Sequence, residues 1–223
     1  MEAADLLTLR SLTYGFLARV SFAELDRHTL EQLCISGVFE EFPLDWDSDA
    51  AAELRQGLQL MASGLRLPEE MQLAALAADF ARLFLGYSLL CPPFESAYRN
   101  EEHLLLCEET IEVRNFYQRY GFQQQGTLQL PDDHVALELE FLALMGQAAH
   151  DSAATSSQVV DCLRASNQFL QDHVLAWVPE FAEDVFRNAE TDFYRGVALF
   201  LRGFVQMDAE LLADVASRME ASV

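Results

Sequence analysis

The chain has 223 residues, 51% of them hydrophobic, with 14 basic and 36 acidic side chains and a net charge of −22. All 14 basic residues are arginine, so lysine-dependent chemistry such as a P-loop or a Schiff base is excluded. A field this negative repels nucleic acid and anionic membrane surfaces and attracts a basic partner, although solubility alone would also explain it. Only six Pro and ten Gly break the chain, while Leu, Ala, Glu and Gln dominate, which favours helices over turn-rich sheets.

Leu6, Leu9, Leu12, Phe16, Leu17 and Val20 recur every three or four residues and predict a first helix over 2–19. Ser21-Phe22-Ala23-Glu24 has the form of a capping box for a second helix that Gly37 closes. Asp47 or Ser48 is positioned to cap a third helix running to Leu65, and Pro68 suits the first turn of a fourth. That helix carries Met71, Leu76, Phe80, Leu83 and Phe84 on one face, and Phe80 to Phe84 reads as a core stripe. Cys91-Pro92-Pro93 forbids regular helix. A fifth helix spans 101–120 and ends at Gly121. The Gln-rich stretch 122–130 reads as a loop or hinge.

Pro131-Asp132-Asp133-His134 opens a sixth helix that is apolar nearly all round and belongs in the centre of the core. Further helices are expected at 156–173, 174–188, 192–206 and 209–219, with Thr191 and Asp208 as caps and with Arg195 and Arg202 paired to acids. The sum is an all-α bundle of about nine to ten helices with no strand. Two sub-bundles, 1–120 and 131–223, joined by a hinge at 121–130, are the expected organisation. Cys34, Cys91, Cys107 and Cys162 show neither CxxC nor zinc-ligand spacing and read as reduced, mostly buried thiols. No apolar run approaches the roughly 18 residues a span requires, and the start lacks a basic n-region, so the cytoplasm is the default location.

No GxGxxG, GxSxG or HExxH occurs, and no His has a Glu three residues before it, so neither cofactor, metal nor catalysis is implied. Two constellations remain. Pro131-Asp132-Asp133-His134, with Glu138 and Glu140 behind it, is either an N-cap with a structural histidine or an acid and a titratable imidazole on a rim that binds a polar or basic segment. Pro92-Pro93-Phe94-Glu95-Ser96-Ala97-Tyr98 is either a kinked connector or a rigid loop presenting Glu95 and Tyr98 beside a groove.

Asp79-Phe80…Leu83-Phe84, the Pro92–Tyr98 run and the Pro131–Leu142 run occur in that order, and over residues 75–205 the chain resembles the TorD/DmsD-type redox-enzyme maturation chaperones. The resemblance implies an all-helical fold and a cytoplasmic chaperone. Its implied partners are the twin-arginine signal peptide and the apoprotein of a molybdenum-cofactor reductase, held until cofactor insertion and before export. It assigns peptide binding to Asp133 and His134, with Asp132, Glu138 and the Pro92, Pro93, Glu95, Ser96 and Tyr98 loop beside them. The family pattern often has Glu directly before Pro-Asp-His; here Leu130 stands in that place and Asp132 is an extra acid. A delta-type chaperone of a non-exported nitrate reductase is the alternative, and a nucleotide-binding helical protein a more distant one. Monomer and domain-swapped dimer both fit.

Overall fold

The computed structural model describes residues 3–39, 42, 48–65, 70–85, 89–100, 105–125, 129–151 and 156–220. Ten α-helices follow in order: α1 Ala3–Phe22, α2 Arg27–Ser36, α3 Asp49–Gly64, α4 Glu70–Phe84, α5 Glu95–Arg99, α6 Glu108–Arg119, α7 Val135–Asp151, α8 Ser156–Phe169, α9 Leu175–Asn188 and α10 Asp192–Glu220. A π-helical turn, Leu170–Val174, leads into α9. The all-α class expected from composition is thus observed, and the only β pairing among the described residues is a single antiparallel bridge, Phe94 to His134. No described helix is long and apolar enough to cross a membrane.

Several boundaries follow the punctuation of the sequence. Ser48 caps α3 by accepting the Ala51 N–H, Gly37 ends α2 at φ 63°, and Thr191 accepts the Tyr194 N–H at the start of α10. Others differ. Ser21-Phe22-Ala23-Glu24 does not open α2; α1 runs through Phe22, and Asp26 caps α2 by accepting the Thr29 N–H at 2.8 Å. The helix expected over 101–120 begins at Glu108, after a Leu106 with φ 62°. Pro68 and residues 101–104 lie outside the described residues. None of the four cysteines is bonded to another; Cys91 alone is buried and the other three are half-buried.

The largest departure is Asp208. It caps nothing, and one helix, α10, replaces the two expected at 192–206 and 209–219. Its carboxylate is buried and accepts Arg10 Nε at 2.5 Å, Arg10 Nη2 at 2.8 Å and the Tyr14 hydroxyl at 2.7 Å. An acid supplied with three side-chain donors has no need of free backbone N–H groups, so it is tolerated inside a helix.

The chain divides into two compact units, each discontinuous in sequence. One comprises Met1–Ser21, Pro93–Val178 and Asp208–Val223; the other Phe22–Pro92 and Pro179–Met207. Residues 121–125 and 129–130, read from sequence as part of a hinge, fall within the first unit, where Gln124 accepts the Leu130 N–H and donates to the Leu130 carbonyl.

In the first unit α7 occupies the core, as its all-round apolarity predicts: Val135, Ala136, Leu139, Phe141, Leu142, Ala143, Met145 and Ala149 are buried. Phe141 meets Phe169 with centroids 4.7 Å apart and Tyr117 at 5.0 Å, within an aromatic cluster that also takes in Phe116.

In the second unit α3 and α10 approach closely. A Cβ on Gly57 would lie 2.5 Å from the Phe200 nitrogen, and one on Gly196 would lie 2.6 Å from the Gly57 carbonyl oxygen, so only glycine fits at either position. On α4 Leu76, Phe80, Leu83 and Phe84 are buried, with Phe80 and Phe84 each about 6.1 Å from the Tyr194 ring, whereas Met71, expected on the same face, is exposed in the first turn of the helix. Asp79 is buried and accepts the backbone N–H groups of Glu190 and Thr191, fixing the turn between α9 and α10. Arg202 makes a two-pronged contact with Glu53 and a third bond to Glu183, while Arg195 pairs with Asp192.

Candidate functional site: a buried carboxylate cluster under an open cleft

The site lies within the first unit and starts from proline chemistry. Pro93 supplies no N–H and keeps its neighbourhood extended, which leaves its carbonyl free for a strand-like pairing. The Val135 N–H donates to that carbonyl at 2.9 Å, and the Glu95 N–H donates to the Asp133 carbonyl at 3.0 Å, forming the Phe94–His134 bridge. The two motifs found in the sequence are therefore stitched together by their backbones. Pro92 is the last residue of its segment in the other unit, and the remaining eight candidate residues fall in this one.

Asp133 is completely buried. One carboxylate oxygen accepts the Ser96 N–H at 3.0 Å and the other accepts the Thr110 hydroxyl at 2.9 Å. Asp133 thus caps the short α5 from a distant segment and ties it to α6. The cap of α7 is His134: its Nδ1 accepts the Ala136 N–H at 3.1 Å. That bond requires an unprotonated Nδ1. Burial drives the imidazole pKa down from 6.5 to about 4, with the charge of Asp133 working in the opposite direction. Asp132 accepts Arg114 Nε at 2.6 Å and Gln124 Nε2 at 3.0 Å, and its carbonyl accepts the Tyr117 hydroxyl.

Beneath this pairing lie two buried glutamates. Glu95 is fully buried, accepts Arg99 Nη1 at 2.5 Å and faces His173 Nδ1 at 3.1 Å. Glu138 is fully buried and accepts the Trp177 indole N–H at 3.0 Å, while its Oε1 has no hydrogen-bond partner among the described residues. Burial, and then the charge of Glu95, push the Glu138 carboxyl well above the usual carboxylate range. Tyr98, half-buried, packs on Trp177 with centroids 5.5 Å apart. The Ser96 hydroxyl is buried without a hydrogen-bond partner among the described residues.

The acids that the resemblance places along a groove are therefore mostly internal. The route from them to solvent passes through residues the sequence reading did not single out. Arg99, Glu112, Asn115, Phe116, Arg119, Asp172 and His173 line an open cleft of about 470 Å³. Arg99 reaches Glu95 four residues before it and also donates to the Asp172 carbonyl at 3.2 Å. His173 and Asp172 sit in the π-helical turn, a distortion that recurs at functional sites. The Glu95-x-x-x-Arg99 spacing was a legible signal for that pair. The approach of His173 from a segment 78 residues away was not.

Residues 47–183 match the family model described as nitrate reductase delta subunit. Proteins described as chaperone protein TorD are similar over most of their length. That of Aliivibrio salmonicida is 27% identical over 208 residues, covering 92% of this chain and 94% of that one. That of Psychrobacter sp. is 27% identical over 217 residues, covering 94% of each. That of Photobacterium profundum is 31% identical over 150 residues, covering 66% of this chain and 68% of that one. The helical fold and these relatives define the class: a chaperone of redox-enzyme maturation, not a catalyst. Within that class the chain belongs to the nitrate reductase delta subunit family, on its TorD branch.

Proposed function

We propose that this protein binds the twin-arginine signal peptide and the apoprotein of a molybdenum-cofactor reductase in the cytoplasm, and holds the client for cofactor insertion before export. The observation that carries the reading is Glu95, a buried carboxylate whose partner from the cleft side is a guanidinium. Arginine pairs with carboxylates through directed, charge-assisted bonds, and here the chemistry a twin-arginine ligand needs is already assembled beside an open cleft. The net charge of −22 steers a basic peptide toward the protein and raises the association rate more than the affinity. In this reading Asp133 and Asp132 act by holding α5 and α6 in place and His134 by capping α7, while Tyr98 and Glu138 act through their shared neighbour Trp177.

Calorimetric titration with a twin-arginine signal peptide tests the reading, with a peptide carrying alanine at both arginines as control. Saturable binding that weakens with salt and with the control supports it; no binding by any peptide of a panel of such signals overturns it. A second reading is favoured by the family model itself, whose description is of a nitrate reductase subunit. The client is then a non-exported enzyme recognised through its own terminus. Binding of that terminus, with none to the signal peptides, selects this alternative. Size-exclusion chromatography with light scattering separates a monomer from a swapped dimer in either case.

A further inference from the structure

Glu95 poses an electrostatic problem. It is a completely buried carboxylate beside a second completely buried acid, Glu138. Isolated in such a place a carboxylate is strongly disfavoured, so a cation has to stay with it. His173 Nδ1 also faces Glu95 at 3.1 Å, but the permanently charged partner is Arg99, which is not part of the interior. Its side chain remains one-third exposed, it is the last residue of the five-residue α5, and it forms part of the wall of the open cleft.

The cleft offers one guanidinium more acceptors than it uses. Nη1 of Arg99 bonds both Glu95 and the Asp172 carbonyl. The charges of Glu112 and Glu109 also act on Arg99, and Glu109 Oε2 is buried without a hydrogen-bond partner among the described residues. Asn115 adds a further polar side chain to the cleft wall. Acceptors around one planar cation, open to solvent on one side, have the chemistry of a receptor for guanidinium.

We infer that the cleft is a guanidinium-binding site whose resident occupant is Arg99, and that a ligand arginine is bound by exchange: it takes over Glu95 and Arg99 moves out into solvent. Exchange avoids the state that burial forbids, because Glu95 keeps a guanidinium partner before and after. Arg99 is thus an internal competitor. The competent form is the one from which it has left, and apparent affinity is reduced by the fraction of molecules in which it has. The signal-peptide reading enters only in saying whose arginine arrives.

The test uses the full chain with Arg99→Ala and Arg99→Gln. N-ethylguanidinium, at concentrations below its denaturing range, is the probe, and ethylammonium and N-ethylurea are the controls. Both variants melt below the wild type and regain stability with N-ethylguanidinium selectively; the wild type, whose site is filled, does not respond. Glu95→Gln in the Arg99→Gln background abolishes the effect. Arg99→Gln also binds a twin-arginine peptide on the order of tenfold more tightly than the wild type does. Equal stabilisation by all three small molecules, or no selective stabilisation in either variant, overturns the site. Selective N-ethylguanidinium binding without any peptide binding keeps the site and removes the client reading. Peptide binding to the wild type that is unchanged or weaker in Arg99→Gln, with no rescue, keeps the client reading and removes the exchange.

Discussion

At the scale of single residues, the most informative side chains do structural work that a motif cannot reveal. Asp133→Ala strips acceptors from the Ser96 N–H and the Thr110 hydroxyl in a completely buried site. The expected cost is about 3 kcal/mol, with about 1 kcal/mol for Thr110→Ala, read from urea unfolding. A loss of peptide binding in Asp133→Ala therefore has to be separated from loss of fold. His134 and Glu138 give opposite pH signatures. The unfolded chain protonates His134 below pH 6.5, whereas the folded chain resists until about pH 4. The histidine's contribution to stability is thus complete above pH 6.5, falls as pH drops toward 4, and is flat below; the span is on the order of 3 kcal/mol. His134→Asn, which keeps an acceptor for Ala136, flattens that limb. Glu138 holds its proton at pH values where the unfolded chain has released it, so its contribution is lost as pH rises above 4.5 toward its folded value. Glu138→Gln keeps an acceptor for Trp177 and removes this loss. Stability measured at neutral and mildly alkaline pH should be equal to or above wild type, while Glu138→Ala falls below it.

At the scale of elements, what could be read in the sequence was what depends on neighbours three or four residues away. The helical stripe of α4, the apolar α7, the Ser48 cap and the Gly37 stop are local features, and they stand where the pattern placed them. Asp208 looks like a cap in the sequence because an acid directly before the helix-forming run Ala209-Glu210-Leu211-Leu212 reads the same whether it caps a helix or is half of an ion pair. Arg10, its partner, is 198 residues away. The candidate site has the same limitation. The Pro93 and Asp133 runs were legible as motifs, but the backbone bridge joining them, and the arrival of His173 through a π-helical turn, are long-range events. For Asp208 the geometry gives a sharp expectation. Asp208→Ala leaves a buried guanidinium unpaired and costs about 3 to 5 kcal/mol, whereas Arg10→Met combined with Asp208→Leu, made in a Tyr14→Phe background that removes the hydroxyl bonded to Asp208, is close to neutral. The double-mutant cycle by denaturant unfolding distinguishes an ion pair that is needed only because its other half is present from one that contributes net stability.

At the scale of the whole molecule, the charge distribution matters more than any single pair. The arginines are few, and many sit on their own acids: Arg10 with Asp208, Arg82 with Asp79, Arg99 with Glu95, Arg114 with Asp132, and Arg202 with Glu53 and Glu183. Thirty-six acids against fourteen arginines leave a net −22 that pairing cannot reduce. Two consequences oppose each other with salt. Like-charge repulsion within the folded chain weakens as the Debye length shrinks from about 30 Å at 0.01 M to about 8 Å at 0.15 M, so the melting temperature rises over that range. Attraction of a basic ligand is screened over the same range, so its association rate falls while dissociation changes little. Calorimetric melting and stopped-flow binding of an arginine-containing peptide, taken on one salt series, check both limbs. A rising melting temperature with a falling association rate is the signature of a long-range acidic field. A falling melting temperature would assign the dominant electrostatic effect to the ion pairs, because screening would then be removing attractions worth more to the fold than the repulsions it relieves.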